Sequence, residues 1–165
     1  MIINIMLFSR RASILITGGL TMKKIVVVYW SGTGNTEQMA EAVVQGIKDQ
    51  DGVSAELIAV DNASKEQIAG ADAVALGCPS MGDEVLEESL MEPFVKSLTS
   101  AELADKPLAL FGSYGWGEGQ WMRDWEERMK GLGARLVADG LIVQEAPQED
   151  GVTLCRELGA KLALA

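Results

Sequence analysis

The chain has 165 residues, 48% of them hydrophobic and 23% charged, the size and composition of one globular domain and not of a disordered segment. Its 14 basic against 24 acidic side chains leave a net charge of −10, which argues against nucleic acid as a partner and favours basic protein surfaces. Histidine is absent, which removes the commonest general base and metal ligand and makes hydrolytic or zinc chemistry a poor expectation.

Residues 1–21 contain no acid, and their only charges, Arg10 and Arg11, interrupt the apolar residues where a secretory signal would place them first. Their apolar runs are too short to span a bilayer. This stretch is expected to be a disordered extension or an upstream mis-start, with a targeting or anchoring role as the alternative, and the domain is expected to begin at Met22-Lys23-Lys24. Membrane association is not expected. The cysteines, Cys78 and Cys155, have no second ligand at metal or redox-motif spacing. Inert thiols in a reducing cytoplasm are the natural expectation.

From Met22 onward, apolar runs alternate with stretches of helical period. The runs are Ile25 to Trp30, Ala55 to Val60, Ala73 to Cys78, Leu108 to Phe111, and a split fifth one, Leu136 to Ala138 with Leu141 to Val143. Between them Met39, Val43 and Ile47 predict one helix, Ser64-Lys65-Glu66-Gln67 the capped start of a short one, and Met91, Phe94, Val95 and Leu98 another. Met122, Trp125, Met129 and Leu132 predict the next, and Leu154, Leu158 and Leu162 the last. Continuous apolar strands joined by helical crossovers imply a single-domain α/β fold: a doubly wound, five-stranded parallel sheet of order 2-1-3-4-5. In that order the exits of strands 1, 3 and 4 converge on one crevice, and those three exits carry the unusual residues, while the exits of strands 2 and 5 look plain.

After strand 1 comes Ser31-Gly32-Thr33-Gly34-Asn35-Thr36. Hydroxyls, an amide and free N-H groups at a helix start suit a phosphate. The loop lacks the Gly-Lys pair of a nucleoside triphosphatase and has Glu37 where the dinucleotide fingerprint needs its third glycine, so a monophosphate fits better than a pyrophosphate. The same hexapeptide also suits a polar turn in which Asn35 or Thr36 caps a helix. After strand 3, Ser80-Met81-Gly82-Asp83-Glu84 contains a pair, Gly82-Asp83, that tolerates positive φ and could flip at little cost. After strand 4, Ser113-Tyr114-Gly115-Trp116-Gly117 places an indole between glycines, where no core periodicity calls for one. Met81 and Trp116 could sandwich a flat ring, although a lone loop tryptophan also serves as a packing lid. Trp121 and Trp125 follow helical spacing and are expected to pack.

These three motifs, in this order across residues 22–165, resemble a flavodoxin of the short-chain kind. The resemblance implies one flavin mononucleotide (FMN), bound non-covalently where this fold places it, at the switch point between strands 1 and 3. It implies that Ser31, Gly32, Thr33, Gly34, Asn35 and Thr36 hold the phosphate, with Ser80 a further candidate. Met81 and Trp116 would flank the ring, and Glu84 would accept from flavin N3-H. Backbone groups of Ser113, Tyr114, Gly115, Trp116 and Gly117 would meet the ribityl chain and the pyrimidine edge. The Gly82-Asp83 peptide would turn its carbonyl to flavin N5-H after the first electron. Asp83, Glu84, Glu87, Glu88 and Glu118, with no base in the three loops, would oppose the second electron and lower its potential. The function implied is that of a monomeric, low-potential electron carrier without substrate turnover of its own, serving basic-surfaced oxidoreductases. A nicotinamide-linked or quinone reductase of the same fold is the alternative, for which no extra nicotinamide-binding segment is visible.

Overall fold

Residues 21–165 are described by the computed structural model, in which β1 (Lys23–Tyr29), β2 (Val53–Ala59), β3 (Ala73–Gly77) and β4 (Pro107–Tyr114) form one parallel sheet. Of the expected extension at residues 1–21, residues 1–20 lie outside the described residues. The outer position beside β4 is shared by two short strands, β5 (Arg135–Leu136) and β6 (Leu141–Gln144), both parallel to it. The order is β2-β1-β3-β4-β5, with β6 also on β4, so the split fifth run of the sequence is a strand broken in two.

Alternation of side chains along the strands decides what each face buries. Ile25, Val27, Ala73, Ala75, Ala109 and Phe111 share one core with Met39, Val43 and Ile47 of α1 (Asn35–Lys48) and with Cys155, Leu158 and Leu162 of the last helix. On the other face, Val26, Val28, Val74, Leu76, Leu108 and Leu110 join Ile68 of α2 (Lys65–Ala69) and Met91, Phe94 and Val95 of α3 (Met91–Ser97). Leu103 of α4 (Ser100–Leu103) and Trp121, Met122, Trp125 and Met129 of α5 (Gln120–Gly131) complete that core. Both helical tryptophans are buried, as their spacing predicts.

The last helix, α6 (Glu149–Leu164), corrects the sequence pattern in one place: Leu154 is 47% exposed, and its neighbour Cys155 carries the buried stripe. The capping box at Ser64 forms as expected, with Gln67 N-H donating to Ser64 Oγ at 3.3 Å and Ser64 N-H to Gln67 Oε1 at 2.8 Å. Helix α4 escaped the apolar pattern because four residues cannot show a stripe. Its signal was polar: Thr99 and Glu102 cap each other's backbone N-H groups.

The crevice is set by how the strands end. Trp30 N-H donates to Gly77 O at 3.0 Å, Cys78 N-H to Phe111 O at 3.1 Å, and Ser80 N-H to Ser113 O at 3.0 Å. The ladder therefore continues past β1 and β3 and fixes the roots of the loops that follow them.

Candidate functional site

The N-cap of helix α1 is Gly34, whose φ of 95° lies in the left-handed region that glycine occupies without strain and which has no side chain of its own to offer the helix. Ser31 turns inward: its Oγ accepts from Gly34 N-H at 3.1 Å and Glu37 N-H at 3.2 Å, which curls the loop around itself. Thr36 is turned inward too, with its Oγ1 2.9 Å from Ser113 Oγ and accepting Ser113 N-H at 3.3 Å, both residues being buried. Gln38 N-H goes to Gly34 O. The first-turn N-H groups of Asn35 and Thr36 have no intrahelical carbonyl to reach, and they stand at the positive end of a helix of 14 residues.

Beside that helix start lies a cleft of about 240 Å³, lined by Trp30, Gly32, Thr33, Asn35, Pro79, Ser80, Met81, Ser113, Tyr114, Gly115 and Glu145. The three loops do converge. Ser31, Gly34 and Thr36 are the frame behind the cleft, with their hydroxyls or backbone committed internally. Tyr114 leans on the core, its ring centroid 5.9 Å from that of Trp121, and Trp121 Nε1 donates to Cys78 O at 3.2 Å beneath the loop after β3.

Two lining residues were missed in the sequence. Trp30 closes the apolar run of β1 and reads there as core, but the strand ends before it and the indole faces the cleft. Glu145 follows β6, so the exit of the last strand is not plain after all. Its φ is 57°, rare for a residue with a side chain. Two contacts hold it there: Glu145 N-H donates to Tyr114 O at 2.8 Å, and Gln144 Nε2 donates to Gly115 O at 3.2 Å.

The turn after β3 is closed at its base by Met81 and Val85, which exchange both backbone hydrogen bonds at 2.9 Å. Gly82 and Glu84 both have positive φ, 48° and 54°. Gly82 and Asp83 form the exposed tip. Glu84 does not reach outward as a free carboxylate: its Oε1 accepts from Gly119 N-H and Gln120 N-H, each at 2.9 Å, at the start of α5. Gly117 lies against it, since a Cβ there would fall 2.6 Å from Glu84 Cδ. Trp116 is 64% exposed and does not line the cleft, whereas Met81, 36% exposed, does.

The ring of acids is thinner than the sequence suggests. Glu87 is buried, and its carboxylate accepts from Ser89, Leu90 and Met91 N-H at 2.7, 2.8 and 2.9 Å, capping α3. Burial pushes its carboxyl up, but the N-H groups of Met91, Leu90 and Ser89 pull harder, and it is held below the usual glutamate range. The stability it lends is therefore present above the ordinary glutamate value and is lost as pH falls through the lowered one. Glu87→Gln keeps the shape and loses the charge. Urea unfolding should show it less stable by about 1–2 kcal/mol at pH 7, with the gap closing as pH falls below the ordinary glutamate range. Arg123 lends a cation from α5, donating to Glu118 O at 2.8 Å. Asp83, Glu88 and Glu118 remain exposed near the rim.

The cysteines are free and buried, and burial pushes both thiols up to about 12. Neither is a nucleophile at neutral pH.

The donor set fits FMN. Uncharged N-H and hydroxyl groups at a helix start suit a terminal monophosphate, and aromatic and thioether side chains at the other end of the cleft suit a flat ring. A family model described as Flavodoxin matches residues 27–159. The chain is 50% identical over 137 residues to a flavodoxin of Clostridium beijerinckii, covering 83% of this chain and 97% of that one. It is 42% identical over 141 residues to a flavodoxin of Megasphaera elsdenii, covering 86% and 99%. The solution structure of two-electron reduced Megasphaera elsdenii flavodoxin superposes with a TM-score of 0.77 at 40% identity over 86% of this chain and 99% of that one. With sheet order, cleft and sequence in agreement, the chain belongs to the flavodoxin family, whose members carry electrons on bound FMN and turn over no substrate of their own.

Proposed function

We propose that this chain is a low-potential carrier that docks on basic-surfaced redox proteins as a monomer in the cytoplasm. The observation that carries it is the pairing of an open cleft with an acidic rim. Thr33, Asn35 and Ser80 line the phosphate end, with the N-H groups of Asn35 and Thr36 behind them. Met81, which lines the cleft, would carry one face of the ring and Trp116, exposed on the loop after β4, would cover the other, with Gly82, Asp83 and Glu84 in the turn between. When bound, FMN supplies one-electron and two-electron chemistry that no side chain has. The protein's own part is to hold it by uncharged donors and to surround it with carboxylates, which makes added negative charge costly. The two buried thiols suit a reducing compartment, and among the described residues no helix is long and apolar enough to cross a membrane.

In the loops after β3 and β4, Met81, Val85 and Trp116 expose apolar surface and Asp83, Glu88 and Glu118 expose carboxylates. That is the pattern of a transient interface: an apolar centre for contact and a charged rim for steering. Stopped-flow oxidation of the reduced FMN-loaded protein by a small, strongly basic haem protein tests it. The second-order rate should fall by more than tenfold as the screening length shrinks from about 10 Å to about 3 Å between 0.1 and 1 M salt. A rate flat across the series contradicts electrostatic docking.

A further inference from the structure

The turn after β3 and the segment after β4 come from different strands, and one side chain joins them. Glu84 lies in the turn after β3, and its Oε1 accepts both N-H groups at the start of α5, Gly119 and Gln120, each at 2.9 Å. These are among the donors that a helix leaves without internal partners, and the N-cap residue there is a glycine with no side chain to offer. The cap is supplied from another loop, 35 residues earlier. Its geometry is costly: Glu84 holds a φ of 54°, a conformation that survives in a residue with a Cβ only where surrounding contacts over-determine it. Those contacts are present. Met81 and Val85 clamp the base of the turn with two backbone bonds, and Gly117 packs so close to the carboxylate that a Cβ would sit 2.7 Å from Oε1.

We infer that Glu84 is a positioning residue, a latch that ties the turn 81–85 to the segment 115–120 so that the two walls of the cleft move as one body. Both hydrogen bonds use Oε1, so the latch needs an acceptor at that place and needs no charge. The inference rests on the FMN reading only for its effect on the cofactor; the latch itself is a property of the protein.

Glu84→Gln keeps an acceptor oxygen, and Glu84→Ala removes it. In the FMN-loaded protein, amide hydrogen exchange at Gly119 and Gln120 should accelerate at least tenfold in Glu84→Ala and stay within about threefold of the parent in Glu84→Gln, with strand amides such as Val27 and Leu110 unchanged in both. Both variants lose the same charge, so the difference between their flavin potentials reads the loss of the acceptor oxygen, to the latch and to any flavin N3-H it also serves, and the exchange data separate the two. It should amount to at least a threefold change in the one-electron equilibrium, about 28 mV at 59 mV per tenfold. Equal exchange in Glu84→Ala and the parent, or equal loss in Glu84→Gln and Glu84→Ala, overturns the latch. Equal potentials in the two variants overturn its coupling to the cofactor. A parent protein that does not take up FMN overturns the cofactor reading and leaves the exchange result to judge the latch by itself.

Discussion

Adding a single methyl group at Gly159 should lower the melting temperature by about 4–8 °C, although alanine is the better helix former. Helices α1 and α6 cross on the face of the sheet floored by Ala73, Ala75 and Ala109, and each presents a glycine to the other's backbone. A Cβ at Gly159 would fall 2.1 Å from Val43 O, and one at Gly46 would fall 2.0 Å from Arg156 O. Backbone atoms cannot swing aside as a side chain can, so the helices must part. Overpacking of that kind costs about 3 kcal/mol, alanine returns about 1 kcal/mol of helix propensity, and the net of about 2 kcal/mol moves the transition by 2–4 °C per kcal/mol in a protein of this size. Gly131→Ala at the end of α5 is the control, since a Cβ there meets nothing within 4 Å; it should be neutral or slightly stabilising. Gly46→Ala with Gly159→Ala should cost less than the sum of the two, because helices already parted for one methyl admit the other. Thermal unfolding of the four variants checks all of this.

Much of the architecture was legible in the sequence because the apolar runs and the helical stripes have different periods. The capping box at Ser64 and the broken fifth strand were visible residue by residue. What pattern could not supply was contact across the chain. The close crossing of α1 and α6 depends on Gly46 and Gly159 meeting, which neither helix announces by itself. Leu154 and Cys155 are adjacent, and only the packing of α6 on the sheet decides that the thiol goes in and the leucine out.

In the site, the phosphate loop stood out because glycines and hydroxyls before a helix have few other uses. Their division of labour did not: Ser31 and Thr36 look like Thr33 in composition, and only geometry separates the frame from the lining. Acids are harder still. Glu84, Glu87 and Glu88 read alike in sequence, whereas one holds α5, one caps α3 and one faces solvent. Glu145 was hidden because nothing local marks a glutamate that will adopt positive φ.

Uncharged donors at the start of α1 should select a flavin by its phosphate. The N-H groups of Asn35 and Thr36 stand at that helix start and Thr33 and Asn35 line the cleft beside it, and each hydrogen bond they gave a charged oxygen would be worth about 1.5–3 kcal/mol. Even two of them give about 3 kcal/mol, more than a hundredfold in affinity. Titrating the cofactor-free protein into FMN and, separately, into riboflavin while following flavin fluorescence measures this directly. The emission of FMN should fall to near zero at one equivalent, with riboflavin bound at least a hundredfold more weakly. Equal affinity for the two, or FMN emission that stays unchanged beyond one equivalent, would contradict it.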